Sequence, residues 1–256
     1  MNKSDKEKRC FITGASKNVE WLLPWFLRKF NVYNSERIPL VICDFGLSEK
    51  ALSWCEKNKL NVQKVKGAKG WFFKPTALRS VDADLKVWID VDCEVKGNIS
   101  NIFNFIEKDK LSCSHDRWHS WGCKYQTGVV GVKGDPKILQ DWEKRCQNPT
   151  GQYARGDQEL LWDLVKDDSS SMGQYIPEKY NWLRMTFHKE RPAARCHYDI
   201  RCIHWTGEQG KQIITRSIRE KRDTIDIVND IAIPGPKNPK SGYGGVITGN
   251  TDGQIL

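Results

Sequence analysis

The run Val87-Trp88-Ile89-Asp90-Val91-Asp92 constrains this chain more than any other stretch. Three apolar residues lead into two carboxylates separated by a single valine. In an extended conformation side chains alternate between faces, so Asp90 and Asp92 are expected on one side and Ile89 and Val91 on the other. The expected result is a buried strand whose end presents two anionic oxygen donors. Nothing in the run supplies a cation for them, so the expected partner is a hard divalent ion, Mg²⁺ or Mn²⁺, shared with the phosphate oxygens of a nucleoside diphosphate. An Asp-x-Asp tripeptide also arises by chance at solvated turns, and its meaning rests on the rest of the chain.

The flanking pattern is an alternation of strands and helices. Residues 10–13 form a β-prone run that ends in the small residues Gly14, Ala15 and Ser16, where a backbone can approach a ligand closely. Apolar residues at helical spacing follow from Trp21 to Phe30, with Pro24 marking either the start of the regular helix or a kink in it. Residues 39–44 form a second apolar strand ending in Asp44, Ser48 is placed to cap a helix to residue 58, and a third strand is expected over 62–66. Further helices are expected from Lys74 to about Val81 and over 98–108, 136–146 and from Gly156, with strands at 111–114, 127–132, 180–183 and 200–203. Such alternation predicts an open α/β sheet, mixed but mostly parallel and flanked by helices, with ligands beyond the carboxyl ends of its strands.

At 256 residues, 39% hydrophobic and with eleven tryptophans, the chain can bury one sizeable core. The expected organisation is a short lead at 1–8, one domain over 9–211, a basic helical segment at 212–232 and a Gly/Pro-rich tail at 233–256. No apolar stretch is long enough to span a bilayer, and the nine dispersed cysteines without a Cys-x-x-Cys pair fit reduced thiols in a cytoplasmic setting. A net charge of +9 favours anionic partners. Those include nucleotide sugars, nucleic acid and acidic membrane surfaces.

Several other residues carry chemistry, each with a plainer reading beside it. Lys74, at a helix start beside the Asp90 strand, is placed to meet a diphosphate or is an ordinary surface lysine. Asp157 sits where an acid caps a helix. His204 is a candidate metal ligand or a structural histidine, and Lys211 a point charge for phosphate. The loop 116–123 is polar and aromatic, suited to covering a sugar or selecting an acceptor. Cys113, His115, His119 and Cys123 match no strong zinc signature and are assigned to packing and loop roles.

In order, Lys74-Pro75, the Asp90-Val91-Asp92 run, Thr127-Gly128-Val129, Gly156-Asp157-Gln158, Tyr180-Asn181 and His204-x-x-Gly207 with Lys211 resemble the GT-A nucleotide-sugar glycosyltransferases of the family 8 type. The similarity spans roughly residues 9–211. It implies a GT-A fold in which Asp90, Asp92 and His204 bind Mn²⁺ or Mg²⁺. It also implies that Lys211, with Gly207, contacts the pyrophosphate, that Lys74 sits near the donor phosphates, and that Thr13, Gly14, Ala15, Ser16 and Asp44 lie near the nucleoside. Asp157 would stand beside the transferring sugar. The resemblance further implies a UDP-sugar donor and retention of configuration; an inverting reaction would need Asp157 or Asp116 as base. One residue more than the family's usual spacing separates Gly207 from Lys211.

A nucleotidyltransferase shares the α/β fold and metal carboxylates, but no glycine-rich G-x-G signature with a following basic residue adjoins Gly14. A silent nucleotide- or glycan-binding module is the other alternative. The acceptor is expected to be a glycan or lipid-linked saccharide, reached through peripheral contact with an anionic membrane, or a hydroxymethylated base in DNA.

Overall fold

The computed structural model describes residues 7–67, 70–119, 122–152, 155–186 and 199–220. The expected tail at 233–256, most of the lead, and the basic segment beyond residue 220 lie outside the described residues.

The central sheet has six strands: β1 (Arg9–Ala15), β2 (Leu40–Asp44), β3 (Asn61–Lys64), β4 (Leu85–Ile89), β6 (Leu111–His115) and β7 (Tyr125–Lys133). Their order is β3-β2-β1-β4-β7-β6. The first four are mutually parallel, while β7 runs antiparallel to both β4 and β6. The chain winds outward from β1 through β2 to β3, then returns to place β4 on the other side of β1. That reversal opens a crevice at the carboxyl ends of β1 and β4.

Both faces of the central strands are covered, which is why β2 and β4 read as nearly continuous apolar runs, whereas the edge strand β3 does not. Along β1, Phe11 belongs to one core and Cys10 and Ile12 to the other. The first core packs under α1 (Leu22–Tyr33) and α2 (Glu49–Lys57), the second under α3 (Lys74–Ser80), α4 (Lys137–Gln147) and α5 (Asp157–Val165). Trp25, Phe26 and Phe30 of α1 are fully buried, each contributing roughly 1.5–3 kcal/mol by leaving water. Pro24 sits in the first turn of α1, and the Ser48 hydroxyl accepts from Ala51 N at 3.2 Å to cap α2.

A second, three-stranded sheet, ordered β5-β9-β8, is built from β5 (Cys93–Val95), β9 (Cys202–His204) and β8 (Trp182–Leu183). The last described helix, α6 (Gly207–Arg219), crosses the boundary expected at residue 211.

Two local expectations change. The helix expected over 98–108 is only a 3₁₀ stretch, Ser100–Phe105, preceded by Asn98, whose side chain accepts from Ser100 N at 2.8 Å. Asparagines at 98, 101 and 104 compete with helical hydrogen bonds through their own amides. The strand expected through Asp92 stops at Ile89. There Asp90 N donates to Gly128 O at 2.8 Å, Cys93 N donates to Asp90 O at 2.9 Å, and the intervening turn carries Val91 and Asp92 into β5.

Candidate active site

The turn after β4 places Asp90 and Asp92 around one imidazole. His204 Nε2 lies 3.6 Å from Asp90 Oδ2 and 3.4 Å from Asp92 Oδ1. The remaining oxygen of each carboxylate meets a lysine: Lys74 Nζ is 3.2 Å from Asp90 Oδ1, and Lys211 Nζ is 3.2 Å from Asp92 Oδ2. Trp88 Nε1 also donates to Asp90 Oδ1, at 2.6 Å. Each carboxylate therefore turns one oxygen toward the same ring nitrogen and the other toward a lysine ammonium. The sequence run holds no cation of its own, but the fold brings in two.

His204 is buried on β9, and its Nδ1 lies 3.1 Å from Asn181 Oδ1. The Asn181 carbonyl oxygen is placed to fix the ring through Nδ1 while Nε2 faces the carboxylates, the usual outer support of a metal-binding histidine. Gly128 leaves room for the ring: a Cβ at this position would fall 2.2 Å from the imidazole. Gly128→Ala is accordingly expected to push His204 aside and weaken Mn²⁺ binding roughly 10- to 100-fold. Titration of the free ion by electron paramagnetic resonance measures this, and an unchanged affinity would remove His204 from the ligand set.

On the other side, Lys74 is 3% exposed. Its ammonium is 2.9 Å from Asp157 Oδ2 and 2.8 Å from Thr127 O, while the Thr127 hydroxyl donates to Asp157 Oδ2 at 2.8 Å. Asp157 opens α5, yet its carboxylate faces this cluster, and no side-chain cap bond closes the helix start at Gly156. Trp142 Nε1 fixes the first turn of α5 by donating to Asp157 O at 2.8 Å.

Burial opposes charge on Asp90, Asp92 and Lys74, and the outcome differs among them. For Asp92 the attraction of Lys211 and His204 overcomes burial and holds its carboxyl well below the usual range. For Asp90 burial prevails over Lys74 and His204 and raises the carboxyl. Lys74, despite burial, is raised by Asp157 and Asp90 and stays an ammonium. Three carboxyl groups thus share two ammonium ions, a balance that favours one more cation.

Two carboxylates and an imidazole are donor types suited to a divalent ion, and Asp90, Asp92 and His204 would hold it. The one group of three potential donors that lie within 4.8 Å of one another among the described residues is Asp92, Cys93 and His204.

Lys211 lies four residues beyond Gly207, which opens α6 at φ 74°. Positions three and four apart share a helix face, so the extra residue still leaves Lys211 on Asp92.

The other candidates sit at the strand ends or beside α5. Thr13 is fully buried and its hydroxyl meets no partner among the described residues. Gly14 lies under Phe45, where a Cβ would come within 2.5 Å of the ring, Ala15 ends β1, and Ser16 is half-buried. Asp44 Oδ1 accepts from Gly46 N and Leu47 N, both at 2.7 Å, which ties it into the turn after β2. Asp116, also buried, accepts from Trp118 N at 3.0 Å and Gln158 Nε2 at 3.2 Å, next to Asp157 in sequence. In the neighbouring loop the rings of His115 and His119 meet edge to face at 5.5 Å, and Cys113 and Cys123 are buried outside any disulfide. The site also contains Trp88, Thr127 and Asn181, which the sequence reading did not place there. Thr127 and Asn181 did fall within the ordered motifs.

A mostly parallel sheet with β7 reversed beside β4, and carboxylates at the end of β4, is the GT-A glycosyltransferase fold. No family model and no curated protein matches the sequence. Among solved structures, the apo-form glycosyltransferase GlyE of Streptococcus pneumoniae TIGR4 superposes with a TM-score of 0.60 at 14% identity, over 79% of this chain and 55% of that one. The galactosyltransferase LgtC, solved with donor and acceptor sugar analogs, gives 0.58 at 12% identity over 88% and 97% of the two chains. The bifunctional glycosyltransferase WbbM gives 0.57 at 11% over 82% and 48%. This chain spans about half the length of the GlyE and WbbM chains and nearly all of LgtC. None of the described helices is long and apolar enough to cross a membrane.

Proposed function

We propose that this protein is a metal-dependent glycosyltransferase that moves a hexosyl or pentosyl group from a nucleoside diphosphate sugar, a UDP-sugar foremost, to a saccharide hydroxyl with retention of configuration. The observation that carries the reading is the convergence of Asp90, Asp92 and His204 at the crevice of a GT-A sheet, with Lys211 on one flank and the Lys74–Asp157 pair on the other. The saccharide acceptor follows the likeness to LgtC, whose structure holds an acceptor sugar analog.

In the transfer the bond from the anomeric carbon to the phosphate oxygen breaks, the bond to the acceptor oxygen forms, and the hydroxyl proton passes to the leaving diphosphate. Mn²⁺ or Mg²⁺ on Asp90, Asp92 and His204 would supply Lewis-acid neutralisation of that diphosphate. Lys211 would leave Asp92 for the phosphate, adding charge where negative charge grows. Asp157, held in place by Lys74 and Thr127, would stabilise the positive charge that develops on the sugar ring. Thr13, Gly14, Ala15, Ser16 and Asp44 would flank the nucleoside, and Asp116 would border the acceptor side through Gln158. The protein would work in the cytoplasm.

The test is a panel of nucleotide sugars with and without Mn²⁺, scored for nucleoside diphosphate release. Metal-dependent release from one donor is the expected result. With that donor, free and lipid-linked saccharides and hydroxymethylated duplex DNA are then offered as acceptors, and a saccharide product is expected. Pyrophosphate release from a nucleoside triphosphate plus a sugar phosphate would transfer the reading to a nucleotidyltransferase. Nucleotide binding without any turnover would leave a binding module.

A further inference from the structure

Cys93 has no part in the proposed transfer, yet its sulfur stands among the groups that would hold the ion. In the β5–β9 pairing Cys93 lies opposite His204 and Val95 opposite Cys202. Residues opposite one another in an antiparallel pair point to the same side, so the two thiols and the imidazole share one face. Cys93 is fully buried.

The donor atoms of Asp92, Cys93 and His204 all lie within 4.8 Å of one another. Sulfur, nitrogen and oxygen in that compass are the donors of zinc and related thiophilic ions, whereas Mn²⁺ and Mg²⁺ prefer oxygen. We infer that Asp92, Cys93 and His204 form a second metal-binding mode that takes up a thiophilic divalent ion, zinc being the type, in place of the hard ion that Asp90, Asp92 and His204 would hold.

Both modes need Asp92 and His204, so occupancy of one excludes the other. On zinc uptake the Cys93 S–H bond breaks, its proton leaves to solvent, and a sulfur–zinc bond forms. The Cys202 thiol can then donate to the new thiolate. No electrons are transferred, and no co-reactant beyond the ion is needed. The metal preference stands apart from the glycosyl-transfer reading; only its consequence, inhibition by zinc, rests on that reading.

The test titrates the full-length, metal-free protein with Co²⁺, a spectroscopic substitute for zinc. A thiolate-to-cobalt charge-transfer band saturating at one equivalent and bleached by Zn²⁺ is expected. Cys93→Ala should abolish the band and weaken Zn²⁺ binding at least about tenfold in calorimetry, with Mn²⁺ affinity within about twofold of wild type. His204→Ala should abolish both modes. Because Cys93 packs in the core, Cys93→Ser provides a second variant of nearly equal volume, and circular dichroism shows which of the two is folded. A Co²⁺ complex without a sulfur band, or a band that persists in the folded Cys93 variant, overturns the inference. A band present in a protein that hydrolyses no donor would leave it standing while the glycosyl-transfer reading fails.

Discussion

Asp92→Asn is expected to lower metal-dependent release of nucleoside diphosphate by on the order of a hundred- to a thousandfold at saturating donor, the loss typical when one group that stabilises transition-state charge is removed. Asparagine keeps the shape of the side chain, so the turn between β4 and β5 should survive. What is lost is the anionic oxygen facing His204 Nε2 and the one that holds Lys211 at 3.2 Å. Without it the proposed ion would have one carboxylate instead of two, and Lys211 would lose its anchor beside the proposed leaving group. The fall should appear mainly in kcat, since the interaction gained is with charge that grows during reaction. A variant that turns over donor within a few-fold of wild type, with the melting transition unchanged, would show that the Asp90–Asp92 turn is not the metal site.

Lys74→Met should be the most destabilising single change in the site. Methionine fills a similar volume but leaves Asp90 and Asp157 facing each other without the ammonium that lies 3.2 and 2.9 Å from them. Breaking a buried pair on one side costs about 3–5 kcal/mol, because the orphaned charge remains. For a chain of this size that corresponds to a melting temperature lower by roughly 10 °C. The double variant Lys74→Met/Asp157→Asn removes one orphaned carboxylate as well and should recover part of the loss, a coupling that calorimetric melting of the four proteins in the cycle measures. If the single variant melts with wild type, Lys74 is solvated and the cluster is not a buried network.

The two cases differ in how much of them the sequence reveals. The alternation of β1, α1, β2 and α2 was legible because a sheet covered on both faces produces unbroken apolar runs, and because Ser48 and Pro24 punctuate them. The carboxylate pair after β4 was legible for the same reason. Burial of Lys74 was not, since an amphipathic position beside a strand looks the same whether its ammonium meets water or two acids. The strands β8 and β9 fall on the stretches 180–183 and 200–203 that read as β-prone, but β5 is only three residues long and gave no signal, and its pairing with β9 is what brings His204 opposite Cys93. Asn181 and Thr127 act through partners 23 and 30 residues away, a separation that local pattern cannot report. The helix misread over 98–108 shows the opposite error: the stretch forms only a 3₁₀ turn, which Asn98 opens by accepting from Ser100 N.

The six-stranded sheet is complete once β7 ends at Lys133, whereas His204 and Lys211 come some seventy residues later. A chain emerging from the ribosome can therefore pair its sheet, and close Lys74 over with Asp157 once α5 follows, before the imidazole and the second lysine exist. Up to that point the half-built protein holds only part of the proposed donor set and should leave the cell's free metal largely untouched. Catalytic competence would then arrive as a late, all-at-once event, when β9 slots between β5 and β8.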